Sequence, residues 1–300
     1  MNLVDIDGCQ DVYFLDVDMY DAPQYGGVYI VASERPAIIE TGLGTNYERI
    51  LEAVHAIGIS PESIETIAVT HVHLDHAGGA GYLSESCENA TVVVHERGAR
   101  HLVNPERLIA GTKAAVGEQW KYYRKPLPIP EGRIRSVSEG DTIDLGGHRL
   151  EVIETPGHAK HQVVYHIPSI SAIFTGDAAG IWIPERANVT VTSPPSEFDL
   201  EQAIVDVDKL VDIDAEMLLY THFGAVEASA ELLHRYQRKL TDWISSIADT
   251  RKKFSDDEQV IEQISNNAPV VTAWGEEKTR AETRLNTRGA LAYLDQRGED

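Results

Sequence analysis

Residues 71–76 read His71-Val72-His73-Leu74-Asp75-His76, three imidazoles and a carboxylate in six positions. With 12 histidines among 300 residues, this pattern arises by chance in about one such sequence in a thousand. The cluster constrains the fold because imidazole and carboxylate suit zinc, iron, nickel or manganese, and a catalytic site must hold such ligands rigidly with one position open. His71 and His73 alternate with Val72 and Leu74, so an extended segment points both rings to one side. Asp75 and His76 are adjacent and project in different directions, which suits a second ion beside the first. The flanks place the cluster on a loop: Ile64–Val69 is a β-branched apolar run that reads as a buried strand, and Ala77-Gly78-Gly79-Ala80-Gly81 gives a close backbone turn ahead of a helix. A polar loop rich in histidine by accident is the plain alternative.

Two ions need more ligands than four, and three further candidates share one local design. Leu150–Gly157 is an alternating strand ending in Pro-Gly before His158, Ser171–Thr175 precedes Gly176-Asp177, and Met217–Thr221 precedes His222. A ligand at the carboxyl end of a strand can be aimed by the sheet behind it.

Thr70-His71-Val72-His73-Leu74-Asp75-His76-Ala77-Gly78-Gly79, followed in order by Thr155-Pro156-Gly157-His158, Thr175-Gly176-Asp177 and Thr221-His222, closely resembles the motifs of the metallo-β-lactamase superfamily. The resemblance covers about residues 10–230. It implies an α/β (α+β) chain folded as a four-layer αββα sandwich with metals at one edge between two sheets. Carried over residue by residue, His71, His73 and His158 hold the first ion, Asp75, His76 and His222 hold the second, and Asp177 bridges both.

Within the superfamily the chain looks most like the glyoxalase II-like hydrolases, and especially a prokaryotic group with the segment that here reads Val94-His95-Glu96-Arg97-Gly98-Ala99-Arg100-His101. Two departures stand out. Relatives often carry Asp in a Leu-Ile-Asp-Thr-Gly motif, where this chain has Ile38-Ile39-Glu40-Thr41-Gly42; Glu40 then serves to orient a ligand histidine from behind. The frequent Gly-His-Thr-Pro-Gly-His string is here Gly157-His158-Ala159-Lys160-His161-Gln162, so this stretch says nothing about substrate. Flavodiiron oxidoreductases usually place glutamate where His73 stands and carry a flavodoxin domain for which no segment remains. Nucleases with a large inserted cap need more chain.

The chemistry implied is hydrolysis with two divalent ions, zinc first and iron or manganese next, holding a bridging hydroxide as nucleophile. Asp75 orients the hydroxide and Asp177 fixes the ion spacing. The substrate expected is a small molecule, a thioester or related ester, whose thiolate leaves without a strong general acid. A sulfur dioxygenase with one iron and a non-catalytic binding protein retaining the fold are the alternatives. His95, His101 and His161, and Arg100, Trp120, Lys121, Tyr122, Tyr123 and Arg124, are candidates for substrate contact, with surface or packing roles as the plainer reading.

Three hundred residues suffice for a catalytic domain over 1–225, with a helical excursion at about 99–130, and a helical C-terminal extension over 226–300. Tyr47–Ile57 reads as a helix, 227–253 as an amphipathic helix, and the tail as short helices ending near Tyr293 that cap the site, form a dimer contact or cover the sandwich. Homo-oligomerisation is left open. No apolar run approaches a membrane span and the start lacks a signal-peptide pattern, so a cytoplasmic protein is expected. Cys9 and Cys87 imply no disulfide framework, and Cys87 reads as a small buried residue.

The net charge of −22, from 48 acidic and 26 basic residues, argues against a nucleic-acid partner. It leads us to expect a high-salt cytoplasm, with an ordinary acidic cytosolic protein as the alternative. A higher melting temperature in molar salt is the expected outcome; equal or greater stability in dilute buffer would contradict it.

Overall fold

Alternation of side chains along extended backbone divides apolar residues between two faces, and this parity builds the layers. The computed structural model describes residues 2–298. Its first sheet contains β1 (Asn2–Asp5), β2 (Val12–Asp16), β3 (Gly27–Val31), β4 (Ala37–Ile39), β5 (Thr66–Ala68), β6 (Thr91–His95) and β7 (Ile134–Val137), in that spatial order, antiparallel up to β4 and parallel from there. The second contains β8 (Thr142–Asp144), β9 (Arg149–Glu154), β10 (Val163–Ile167), β11 (Ala172–Gly176), β14 (Met217–Tyr220) and β15 (Gly224–Glu227), ordered β15-β14-β11-β10-β9-β8. β12 (Ile181–Ile183) and β13 (Asn188–Thr190) form a separate two-stranded ribbon.

Phe14, Tyr29 and Val93 of the first sheet meet Val152, Tyr165, Phe174 and Leu219 of the second in a core between the sheets. Residues of opposite parity pack outward. Leu15, Val28 and Ile30 join the core beneath α1 (Tyr47–Ala56), α2 (Leu74–Ala77), α3 (Ala80–Ser86) and α4 (Glu96–Val103). Val164, Ile173, Leu218 and Tyr220 join the core beneath α6 (Leu200–Ile213), α7 (Ala230–Arg251), α8 (Asp257–Asn266) and α9 (Gly275–Arg297). Between these groups lies α5 (Glu106–Val116), followed by a 3-10 turn over Gly117–Tyr122. The result is the αββα sandwich the resemblance implies, with C-terminal helices in its outer layer.

The expected boundary at 225/226 falls inside β15. Two local readings need correction. Asp75 and His76 sit on the single turn α2 rather than on a loop. The tail contains the 23-residue α9, which runs to Arg297, rather than only short helices ending near Tyr293. The physical reason is that α9 buries polar side chains, Lys278, Thr279, Glu282, Asn286 and Thr287, along with Ala290, Leu291 and Leu294. Such a helix lacks the apolar stripe by which helices are read from sequence.

Candidate metal centre

Glycine at position 79 sets the first contact of the site. A Cβ there would lie 2.4 Å from the Thr41 carbonyl oxygen, so only glycine lets the turn after α2 close onto the end of β4. That closure puts His76 beside Glu40. Four other predicted ligands leave the ends of strands: His71 follows β5, His158 follows β9, Asp177 follows β11 directly, and His222 follows β14.

All seven predicted residues meet. Their ligand atoms fall into three sets, His71 with His73 and His158, His71 with His76 and Asp177, and Asp75 with His76 and His222, each within 4.8 Å. His73 Nδ1 lies 3.0 Å from His71 Nε2 and 3.1 Å from His158 Nε2. His222 Nε2 lies 3.3 Å from His76 Nε2, with Asp75 Oδ2 4.0 Å away. Asp177 faces both sides: Oδ2 is 3.3 Å from His158 Nε2, and Oδ1 is 3.2 Å from His76 Nε2 and 3.7 Å from His222 Nε2.

Hydrogen-bond partners assign the tautomers. The Thr70 hydroxyl donates to Glu40 Oε1 at 2.5 Å, so its oxygen accepts from His71 Nδ1–H at 3.0 Å. Thr192 donates to Asp177 Oδ2 at 3.1 Å and accepts from His158 Nδ1–H at 3.2 Å. His76 Nδ1–H donates to Glu40 Oε1 at 3.1 Å, and His222 Nδ1–H to the Tyr25 carbonyl at 2.8 Å. Four imidazoles are thereby held with Nε2 turned into the centre.

Charge fits the same picture. Burial, reinforced by neighbouring imidazoles, holds His71 well below the usual histidine range. Burial likewise depresses His158, to about 3, against the pull of Asp177. Burial opposes protonation of His76 too, but Glu40 and Asp177 outweigh it and raise its pKa well above the ordinary value. Burial would raise Asp177, yet His158 and His76 keep it well below the carboxylate range. Asp177 Oδ1 is nonetheless buried without a hydrogen-bond partner of good geometry. Converging imidazole nitrogens around an orphaned carboxylate oxygen fit divalent cations, which would replace the His76 proton.

Other predicted residues separate clearly. A cavity of about 1320 Å³ opens over the centre, and Arg100, His101, Tyr123 and His161 line it while Trp120, Lys121, Tyr122 and Arg124 do not. Trp120 stacks on Tyr123, Lys121 pairs with Glu277 at 2.9 Å, and Arg124 lies over the Tyr82 ring. His95 bonds to Glu154 at 3.0 Å and its Nδ1 caps α4 by accepting from Arg97 N–H. Glu40, 1% exposed, also accepts from Thr221 at 3.2 Å.

The sequence reading missed Thr70, Thr192, Tyr25 and the α9 wall. A threonine directly before both His71 and His222 was a signal for Thr70 and Thr221; nothing local marked Thr192. From α9, Lys278, 9% exposed, pairs with Glu282 at 2.9 Å and lies 4.0 and 3.8 Å from the Tyr20 and Tyr25 ring centres. Tyr25 donates to Glu282 at 2.6 Å, so the last long helix is tied to the segment that holds His222.

The family model of the metallo-beta-lactamase superfamily matches residues 25–222. The chain belongs to this superfamily. Among similar proteins, the metallo-beta-lactamase fold-containing protein ST1585 of Sulfurisphaera tokodaii is 21% identical over 73% of this chain and 80% of its own length. The human acyl-coenzyme A thioesterase MBLAC2 is 26% identical over 55% of this chain and 62% of its own. A hydroxyacylglutathione hydrolase of Mesorhizobium japonicum is 32% identical over 43% of this chain and 38% of its own. The chain thus spans less than two thirds of these last two. The crystal structure of ST1585 has a TM-score of 0.71 at 19% identity, covering 94% of this chain and 99% of that one. That of TTHA1429 from Thermus thermophilus has 0.70 at 20%, covering 97% and 95%. These place the chain in a superfamily of metallo-hydrolases with His and Asp groups able to bind metal. No described helix is long and apolar enough to cross a membrane.

Proposed function

We propose that the protein is a dinuclear metal-dependent hydrolase of acyl thioesters, with His71, His73 and His158 holding one ion, Asp75, His76 and His222 the other, and Asp177 both. The observation that carries this reading is the pair of imidazole-nitrogen clusters, one of them including His73 Nδ1, on either side of one two-faced carboxylate. Divalent cations in such a site lower the pKa of a water toward neutrality and polarise a carbonyl. The residues around it set direction. Asp75, lowered by His76 and His222 although burial opposes this, stays ionised and is placed to accept a hydrogen bond from the attacking water.

Tyr20 and Tyr123 share one hydrogen bond at 2.6 Å. Two hydroxyls with one proton between them leave the other proton for a substrate oxygen. Burial raises both pKa values well above the ordinary tyrosine value, so the pair remains a neutral donor. His161, which burial and His73 push down to about 2, is neutral and offers no strong general acid. A thiolate leaves without one, and the names of the two partly covered relatives, a thioesterase and a hydroxyacylglutathione hydrolase, point the same way.

With metal-analysed protein, kcat/KM for acyl thioesters should exceed that for matched oxoesters, lactams and phosphodiesters by about tenfold or more. Preference for a lactam or phosphodiester would overturn the thioester assignment.

A further inference from the structure

The chain is strongly acidic, and the cavity departs from that balance. Basic residues number 26 against 48 acidic ones overall, yet seven lysines and arginines line the cavity against six carboxylates, two of which are Asp75 and Asp177. Glu282 is already engaged by Lys278, Tyr25 and Asn286. Glu96, Glu118 and Glu197 are the other lining acids. Most cations elsewhere are paired, as Arg35, Arg149 and Arg238 are with nearby glutamates. Arg97, Arg100 and Arg107 are exposed, line the cavity, and have no ion-pair partner among the described residues. Arg100 Nε donates to His101 Nε2 at 3.3 Å, and Arg97 acts on Glu154 through space. Where carboxylates are in such excess, three exposed guanidiniums at one opening with no carboxylate in ion-pair contact stand out.

Their placement is built. A Cβ on Gly98 would lie 2.8 Å from Val72 Cγ1 and 3.0 Å from Val94 Cγ2, so α4 lies close against the loop that carries His71 and His73. Arg97 and Arg100 are three residues apart on α4 and therefore share a face. Arg107 comes from α5. On the other wall α9 presents Arg284 and Arg288, and Arg288 donates to the Ala115 carbonyl at 3.2 Å, joining the walls. Their shared partner Glu258 does not line the cavity. Between this opening and the metal centre stand His101 and His161, the latter with its ring 5.7 Å from that of His73.

We propose that Arg97, Arg100 and Arg107, opposite Arg284 and Arg288, form a phosphate-binding site for the thiol portion of the substrate, so that the scissile thioester lies over the metal centre and a phosphorylated handle at the cavity mouth. This rests on the thioester reading above. Guanidinium forks bind phosphate oxygens two at a time. Three without a carboxylate partner, with Arg284 and Arg288 shared with Glu258 on the other wall, suit a ligand carrying more than one phosphate. The cavity, at about 1320 Å³, is larger than the roughly 300–1,000 Å³ usual for small-ligand sites, which suits a long nucleotide-bearing thiol. A local basic site is also what an anionic substrate needs to approach a chain whose overall field repels it.

The test has a catalytic arm and a binding arm. One acyl group is presented on coenzyme A, on a phosphopantetheinyl carrier protein and on phosphate-free pantetheine, to the wild type and to R100E/R107E. The kcat/KM for the coenzyme A thioester should exceed that for the pantetheine thioester by about tenfold or more, mostly through KM, and in the variant this ratio should collapse toward one. Faster turnover of the carrier-bound acyl group, with the same collapse, would assign the phosphate to a carrier protein. Calorimetry with adenosine bisphosphate, which has no thiol to meet a metal, should show binding that weakens about tenfold in R100E/R107E and in Arg97→Gln. Equal hydrolysis with and without phosphate, together with no nucleotide binding, would overturn the phosphate site and leave the thioester reading standing. Nucleotide binding lost in the variants without hydrolysis of any thioester would uphold the site and overturn that reading.

Discussion

Asp177→Ala is expected to reduce hydrolysis by about a thousandfold or more, a barrier increase of about 4 kcal/mol, and to leave fewer than two ions per chain. The two oxygens of Asp177, a proposed ligand, face different histidine sets, 3.3 Å from His158 on one side and 3.2 Å from His76 on the other. Alanine removes the anion that both sets share and also the acceptor for Thr192, which holds the His158 tautomer. The fold itself should survive, because the residue stands at the end of β11 and outside the three apolar cores. Elemental analysis beside a thioester assay checks this. Wild-type metal content with wild-type turnover would show that Asp177 is not a ligand.

Glu40→Ala should weaken metal binding by about 10–100-fold, the effect typical of removing the group behind a ligand, and lower Tm by about 5 °C or more in metal-free protein. One buried carboxylate oxygen accepts from Thr70, Thr221 and His76. Its loss strands two hydroxyls and frees the His76 ring to turn. Glu40 also adopts a left-handed backbone conformation, φ 69°, which the glycine after a simple turn would hold more readily; a carboxylate retained there is explained by its three partners. Glu40→Gln keeps an acceptor for the threonines but not the charge facing His76, so it should recover much of the Tm and less of the metal affinity. Competition with a chromophoric chelator and thermal melts separate the two effects. An alanine variant that binds metal as the wild type does would remove Glu40 from this role.

The ligand set was legible because its chemistry is local. His71 to His76 lie within six residues, and His158, Asp177 and His222 each follow a strand that a short apolar run announces. Glu40 was legible through the resemblance of Ile38–Gly42 to a motif of the superfamily. What could not be read depends on partners distant in sequence: Thr192 matters only because folding sets it between His158 and Asp177, and Tyr25 because its carbonyl meets His222. α9 was the harder case. Its buried Lys278, Glu282 and Asn286 face the cavity, so the polar residues that make the wall useful are the ones that erase the apolar pattern of a buried helix. The Val94–His101 segment showed an order of residues whose physical sense, a capped helix with a glycine contact and two outward arginines, emerged only from its packing on the ligand loop.

Metal stoichiometry measured alongside turnover tests the central claim most directly. Protein stripped by chelator and reloaded with zinc, iron or manganese should regain thioester hydrolysis as the content approaches two ions per chain, with no oxygen consumed. A single iron per chain with oxygen uptake on a persulfide, or full hydrolysis by the stripped protein, would contradict the dinuclear hydrolase.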